Sequence, residues 1–222
     1  APYGALAALD VGPLGELLEP SGTLAFEDAV REYARIVRAG VAAGADLIFF
    51  ETFTDLYELK AALLAAKENS TLPILASMSF EAGGRTFTGC TVESFAVTAR
   101  GLGADALGIN CSLGPKEIFP MAKRLAEALP GEFPVFVKPN AGLPRADGSG
   151  YDITPQLFAM QMKPYRALNL FAAGGCCGTT PEFIRLLNGV FKGCKPGREA
   201  HRLPSVLCSP VDFVTVDGIT VV

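Results

Sequence analysis

An α/β fold built on a parallel sheet is what this sequence predicts, and three observations predict it. Short apolar runs recur at nearly even spacing, at Leu6–Val11, Leu47–Phe50, Ile74–Met78, Ala106–Ile109, Val135–Val137 and Leu170–Ala173. From the second run on, the starts lie 27, 32, 29 and 35 residues apart, the length of a strand, a helix and their connections. The third observation is a partial repeat. Ala43-Gly44-Ala45-Asp46-Leu47-Ile48 and Leu102-Gly103-Ala104-Asp105-Ala106-Leu107 share one pattern, a helix end closed by glycine and followed at once by a strand.

The elements follow in order. After the first run, Phe26, Val30, Tyr33, Val37 and Val41 recur at three- and four-residue spacing and give a helix one apolar face. Thr54 is the expected cap of a helix carrying Leu56, Leu59 and Leu63. Near the end of the series, Thr180-Pro181-Glu182 combines a capping hydroxyl, a proline suited to the first helical position and an acid in the first turn, with Gly189 near the expected stop. Continuously apolar strands alternating with such helices imply a parallel sheet covered by helices. An open doubly wound sheet would favour a phosphate-binding glycine turn near its start, and the sequence has none. A (β/α)8 barrel needs eight strands, and only six are counted. From about Phe191 a tail with Pro196, Pro204 and Pro210 reads as an interdomain linker.

Composition excludes several classes of function. Of 222 residues, half are hydrophobic and 19% charged, which excludes intrinsic disorder. Mean hydropathy is +0.32, yet no apolar stretch reaches the ~18–20 residues a membrane helix needs. Nineteen basic residues against 23 acidic ones, with no basic cluster, leave no nucleic-acid footprint. No secretory or transit segment is recognisable, so a cytoplasmic location is expected, and a first residue of Ala1 suggests a fragment or processed product. A single histidine, His201, leaves little room for Ser-His-Asp or Cys-His catalysis.

Six cysteines remain to be explained. In a parallel α/β protein the site lies beyond the C-terminal ends of the strands. Three of the cysteines fall at two such ends, in Asn110-Cys111-Ser112 and in Gly174-Gly175-Cys176-Cys177-Gly178. Three thiolates converging on one point suit Zn²⁺ at about 2.3 Å per bond, and three protein ligands leave the fourth position open, as in a catalytic site. Adjacent residues of a regular strand face opposite ways, so Cys176 and Cys177 require the bend that their flanking glycines permit. A thiol entering the open position would lose its proton and become a nucleophile. The residues therefore describe a thiol-activating zinc enzyme. Cys90, Cys194 and Cys208 read as packing cysteines, and Met160 and Met162 as helix-packing residues. Lys138 at a strand end offers a rival, a Schiff-base aldolase, and a barrel with structural zinc or merely packed cysteines is a second rival, with Cys90 the one plausible fourth ligand.

Gly108-Ile109-Asn110-Cys111-Ser112 and Gly174-Gly175-Cys176-Cys177-Gly178-Thr179-Thr180-Pro181 resemble the paired motifs of the homocysteine S-methyltransferase domain. That domain occurs in methionine synthases and in betaine– and S-methylmethionine–homocysteine methyltransferases. Asp46 to Thr52, Gly84 to Gly89 and Pro139 to Pro144 fit the same family, and the resemblance runs from about Leu6 to Asn188. It implies a (β/α)8 TIM barrel, here incomplete, with about six of eight βα units and the first two missing. It also implies zinc on Cys111, Cys176 and Cys177, with Glu51 holding the homocysteine amino group and Asn110 close to substrate and metal. The family's first-strand Asp-Gly motif has no counterpart before Asp10.

The resemblance divides the chain into a partial homocysteine-binding barrel over residues 1–190 and a linker over residues 191–222. Leu207 to Val222 resembles the connector that leads into a folate-binding domain in cobalamin-dependent enzymes of this kind. The methyl donor would then be methylcobalamin, with cobalamin bound by another domain. A betaine- or S-methylmethionine-type enzyme is the alternative.

Overall fold

The computed structural model describes residues 4–197 and 206–215. His201, Pro204 and the end of the expected connector, residues 216–222, lie outside the described residues.

Six strands form one parallel sheet in strict chain order: β1 (Ala8–Val11), β2 (Leu47–Phe53), β3 (Ile74–Met78), β4 (Ala106–Asn110), β5 (Val135–Lys138) and β6 (Ala172–Ala173). Helices follow them, α1 (Phe26–Ala42), α2 (Leu56–Asn69), α3 (Val92–Gly101), α4 (Pro115–Glu127), α5 (Pro155–Met162) with a 3₁₀ turn over Lys163–Leu168, and α6 (Pro181–Phe191). The fold is an incomplete α/β barrel. Among the described residues its sheet does not close, and β1 and β6 are its edges.

The sheet nevertheless curves as a barrel wall does. Phe49 of β2 and Phe136 of β5, separated in the sheet by two strands, meet edge to face with ring centroids 5.4 Å apart. Lys138 of β5 places its ammonium 4.7 Å from the centre of the Phe49 ring and pairs with Glu51 of β2. Gly108 of β4 lies between them. A Cβ there would stand 2.3 Å from the Phe136 ring, so the missing side chain gives that ring its place. Strand alternation sets the division. Phe49, Glu51, Gly108, Asn110, Phe136 and Lys138 share the inner face, while Ile48, Phe50, Leu107, Ile109, Val135 and Val137 lie buried beneath the helices.

The repeated glycine device is real. Gly44 and Gly103 are left-handed at φ 84° and 87° and turn α1 and α3 into β2 and β4. The aspartate of each repeat has a further use. Asp46 accepts the Ala7 N–H at 2.7 Å, and Asp105 accepts the Ile74 N–H at 2.8 Å, so each clamps the start of the preceding strand.

Several local expectations are corrected. Strand β2 runs on to Phe53, so the cap of α2 is Asp55, accepting from Tyr57 N–H, rather than Thr54. Thr180 makes no side-chain cap bond, and α6 starts on Pro181 and runs through Gly189 to Phe191. The first and last strands are shorter than their apolar runs. Val41 and Met160 are exposed, whereas Met162 packs in the core.

The link from β1 to α1 is held by a buried carboxyl. Glu58 of α2 accepts from Leu14 N–H at 2.7 Å and from the Tyr33 hydroxyl at 2.8 Å. Burial raises its pKa, against the opposing pull of both bonds. In the tail, β7 (Val206–Cys208) and β8 (Phe213–Thr215) form an antiparallel hairpin. The hairpin lies against α3 and the loop before it, where Thr91 N–H donates to the Pro210 carbonyl and Arg85 to that of Val211. Among the described residues no helix is long and apolar enough to cross a membrane.

Candidate metal centre

Cys111 directly follows β4, one residue after Asn110, which points inward. A regular strand would send the Cys111 thiol outward. Instead Cys111 and Ser112 are both left-handed, at φ 63° and 59°, and the turn brings the thiol to the mouth of the barrel. Non-glycine residues reach this region only at a cost in local strain, and such strain gathers at functional sites.

Cys176 and Cys177 lie beyond the end of β6, so strand alternation does not constrain them. Their backbone is clamped to the loop after β5. Cys176 N–H donates to the Pro139 carbonyl at 2.9 Å, Cys177 N–H to Asn140 Oδ1 at 3.0 Å, and Ala141 N–H to the Cys177 carbonyl at 2.9 Å. Of the flanking glycines only Gly178 is left-handed, at φ 78°. Gly175 serves by clearance, since a Cβ there would meet the Thr179 side chain at 2.5 Å, and one at Gly178 would meet the Tyr151 ring at 2.3 Å.

These devices bring the three sulfurs together. Cys111 and Cys177 Sγ are 3.6 Å apart, Cys176 and Cys177 Sγ 3.9 Å, and all three lie within 4.8 Å of one another. Tetrahedral zinc with bonds of about 2.3 Å sets its sulfurs about 3.8 Å apart, so the donor set fits that ion in number, softness and spacing. The protons of the cluster tell the same story. A hydrogen bond from Cys176 holds the Cys111 thiol down to about 7, against the effect of burial, while that bond and burial push Cys176 up. Three thiols this close cannot all ionise without a cation among them. Cys90 is elsewhere, buried and donating to the Thr91 carbonyl, its thiol pushed up to about 12 by burial. It is not part of the cluster.

Glu51 and Lys138 form an ion pair inside the barrel, their side chains 17% and 25% exposed. Lys138 is thus engaged as a cation, between a carboxylate and an aromatic face. Asp10, at the end of β1, faces the pair. Burial and the Glu51 charge raise its pKa, and Lys138 opposes them. Asn110 is wholly buried, and every polar atom of its side chain is engaged. Its Oδ1 accepts from Thr52 N–H at 3.0 Å and from the Ser77 hydroxyl at 2.9 Å. Its Nδ2 donates to Thr52 Oγ1 at 2.8 Å and toward Cys176 Sγ at 3.8 Å. Thr52, Ser77 and Asn140 were not singled out from the sequence. Their position at strand ends was the only available signal.

The homocysteine S-methyltransferase family model matches residues 3–191. A methionine synthase from Mycobacterium tuberculosis is 36% identical over 172 residues, an alignment covering 73% of this chain and 14% of that protein. The homocysteine methyltransferase MmuM from Escherichia coli, in its apo form, has a TM-score of 0.67 at 25% identity, over 83% of this chain and 63% of its own. Its metallated form has a TM-score of 0.63 at 24% identity, over 75% and 52% of the two chains. A dihydrodipicolinate synthetase homologue from Pseudomonas aeruginosa shares the fold alone, with a TM-score of 0.53 at 16% identity over 86% of this chain and 63% of its own. The chain thus spans about one seventh of its methionine synthase relative and less than two thirds of the E. coli enzyme. A family match over most of its length and a barrel carrying both cysteine motifs place this chain in the homocysteine S-methyltransferase family.

Proposed function

We propose that the chain is the homocysteine-binding part of a zinc-dependent homocysteine S-methyltransferase of the methionine synthase type. The convergence of Cys111, Cys176 and Cys177 at the barrel mouth carries the reading. Cys111, Cys176 and Cys177 would hold the zinc, which when bound would supply the acidity that turns an incoming thiol into a thiolate nucleophile. The chain's own residues supply the rest. The strained turn at Cys111 and the clamp from Pro139, Asn140 and Ala141 hold the sulfurs in place before any ligand arrives. Glu51 receives the amino group of homocysteine, releasing Lys138 as one cation replaces another. Asn110 stands between these two ends of the site.

The thiolate sulfur forms its new bond to the methyl carbon as the donor's bond to that carbon breaks, and the product is methionine. The methionine synthase relative, of which this chain covers 14%, supports a longer protein, in which the donor is methylcobalamin carried by another domain, together with a folate-binding domain. Residues 191–222 then act as the connector toward them, in a cytoplasmic protein.

The test is zinc content per chain, with X-ray absorption at the zinc edge before and after homocysteine is added. Three sulfurs and one lighter atom should become four sulfurs, and Cys176→Ser should lose the metal. A folded chain without zinc overturns the assignment. Metal that is bound but unmoved by homocysteine favours a structural site.

A further inference from the structure

The Asn110 side chain joins the ends of three other segments of the barrel. Its partners are Thr52 on β2, Ser77 on β3 and Cys176 beyond β6, while its own carbonyl accepts from the Ser79 hydroxyl at 2.8 Å. A buried asparagine needs partners for four hydrogen-bonding positions, and all four are filled from within the protein. No position is left over for a substrate.

What the amide holds matters more than how many bonds it makes. Thr52 is left-handed at φ 68°, an uncommon conformation for a β-branched residue, and it lies where the register of β2 against β3 shifts between Phe50 and Phe53. Both the N–H and the hydroxyl of Thr52 are bound by the Asn110 amide, one as donor and one as acceptor. The shift includes Glu51, so the aim of that carboxylate depends on a bulge that Asn110 pins. The remaining Nδ2 hydrogen is directed at a sulfur of the cluster.

We propose that Asn110 is a positioning residue that ties the sulfur cluster to the Glu51 arm, so that one amide sets both the metal end and the amino-acid end of the site. The inference rests on the zinc reading above. It assigns Asn110 an action through Thr52 and Cys176 rather than a direct contact with substrate.

The test uses the full chain loaded with cobalt(II), whose sulfur-to-metal charge-transfer bands report the geometry at the sulfurs. Zinc affinity by competition and the homocysteine dissociation constant are measured alongside. Asn110→Ala should shift the bands and weaken zinc by ~10–100-fold, the usual effect of losing a group that orients a ligand. Thr52→Val and Ser77→Ala touch no sulfur, yet each should move the bands in the same direction and raise the homocysteine dissociation constant by about 3-fold or more. The metal effect of Thr52→Val should vanish in the Asn110→Ala background, since the coupling runs through the amide. If Asn110→Ala does not fold, the two milder variants decide. Unchanged bands and zinc affinity in folded Thr52→Val and Ser77→Ala overturn the inference and leave the zinc reading standing. A folded wild-type chain that takes up no metal overturns both.

Discussion

The two ends of the sheet are built on different terms. Where the strands begin, conformational demands fall on residues that meet them cheaply. Gly44 and Gly103 take the left-handed positions, and Asp46 and Asp105 repeat one clamp on the preceding strand. Where the strands end, the same demand falls on Thr52, Cys111 and Ser112, and the regular register of β2 breaks. A side chain forced into this region costs about 1–2 kcal/mol per residue. The first end spends its sequence on stability. The second gives up stability to aim a carboxylate and a thiol at one place, the division expected of barrels whose chemistry sits above the C-terminal ends of the strands.

That contrast can be broken by experiment. The largest effect is expected from removing both clamps. Asp46→Ala with Asp105→Ala should cost roughly 2 kcal/mol in denaturant unfolding, about 1 kcal/mol for each partly exposed bond, and leave zinc affinity unchanged. A loss of zinc binding in that folded variant would show that the two ends are coupled.

Glu58→Gln probes the carboxyl that holds the β1–α1 link. Burial raises the Glu58 pKa, so the folded chain holds this proton more tightly than the unfolded one, and its ionisation takes stability away as pH rises through the folded pKa. Glutamine keeps the oxygen that accepts from Leu14 and Tyr33 but cannot ionise. The variant should therefore gain on wild type as pH rises above about 4, where the unfolded carboxyl ionises, until the folded carboxyl has ionised too, in paired unfolding curves. A constant difference across that range would refute the account.

The smallest effect sharpens the comparison at the functional end. Ser112→Gly relieves a left-handed serine and retains the backbone N–H that Cys111 uses, so it should raise stability by about 0.5–1 kcal/mol with zinc content unaltered. A destabilised variant would mean that the turn is held by something other than strain tolerated for function.

Much of this was legible in the sequence, for identifiable reasons. Burial on both faces writes parallel strands as apolar runs, so all six were found, with errors only at their ends. The three cysteines were legible because their chemistry is rare and their strand-end position is readable. What stayed hidden depends on contacts between distant strands. Nothing near Lys138 announces that it meets Glu51 across the barrel, since that contact exists only once the sheet curves. The turn at Cys111 was hidden because alternation is the default and left-handed φ carries no residue signal outside glycine and asparagine. The sequence points to Thr54 as the cap where the structure uses Asp55, because the extension of β2 through its bulge cannot be counted from composition. Asn110 was noticed for its neighbour, and only the structure reveals its four partners.

The strict chain order of the strands bears on how the molecule can be assembled. Every ladder of the parallel sheet joins a strand to the next one along the chain, so each closes a loop of one βα unit and none waits for a distant segment. Loop closure grows more costly with length, and such short closures favour growth by accretion, one unit docking on the last. An unfinished arc of this kind can present its ordered ends to further units without rearranging what has already formed. The sulfur cluster, like the Glu51–Lys138 pair, is an exception. It joins the ends of β4 and β6, so the metal-binding geometry comes into being only when the last of the six strands has docked.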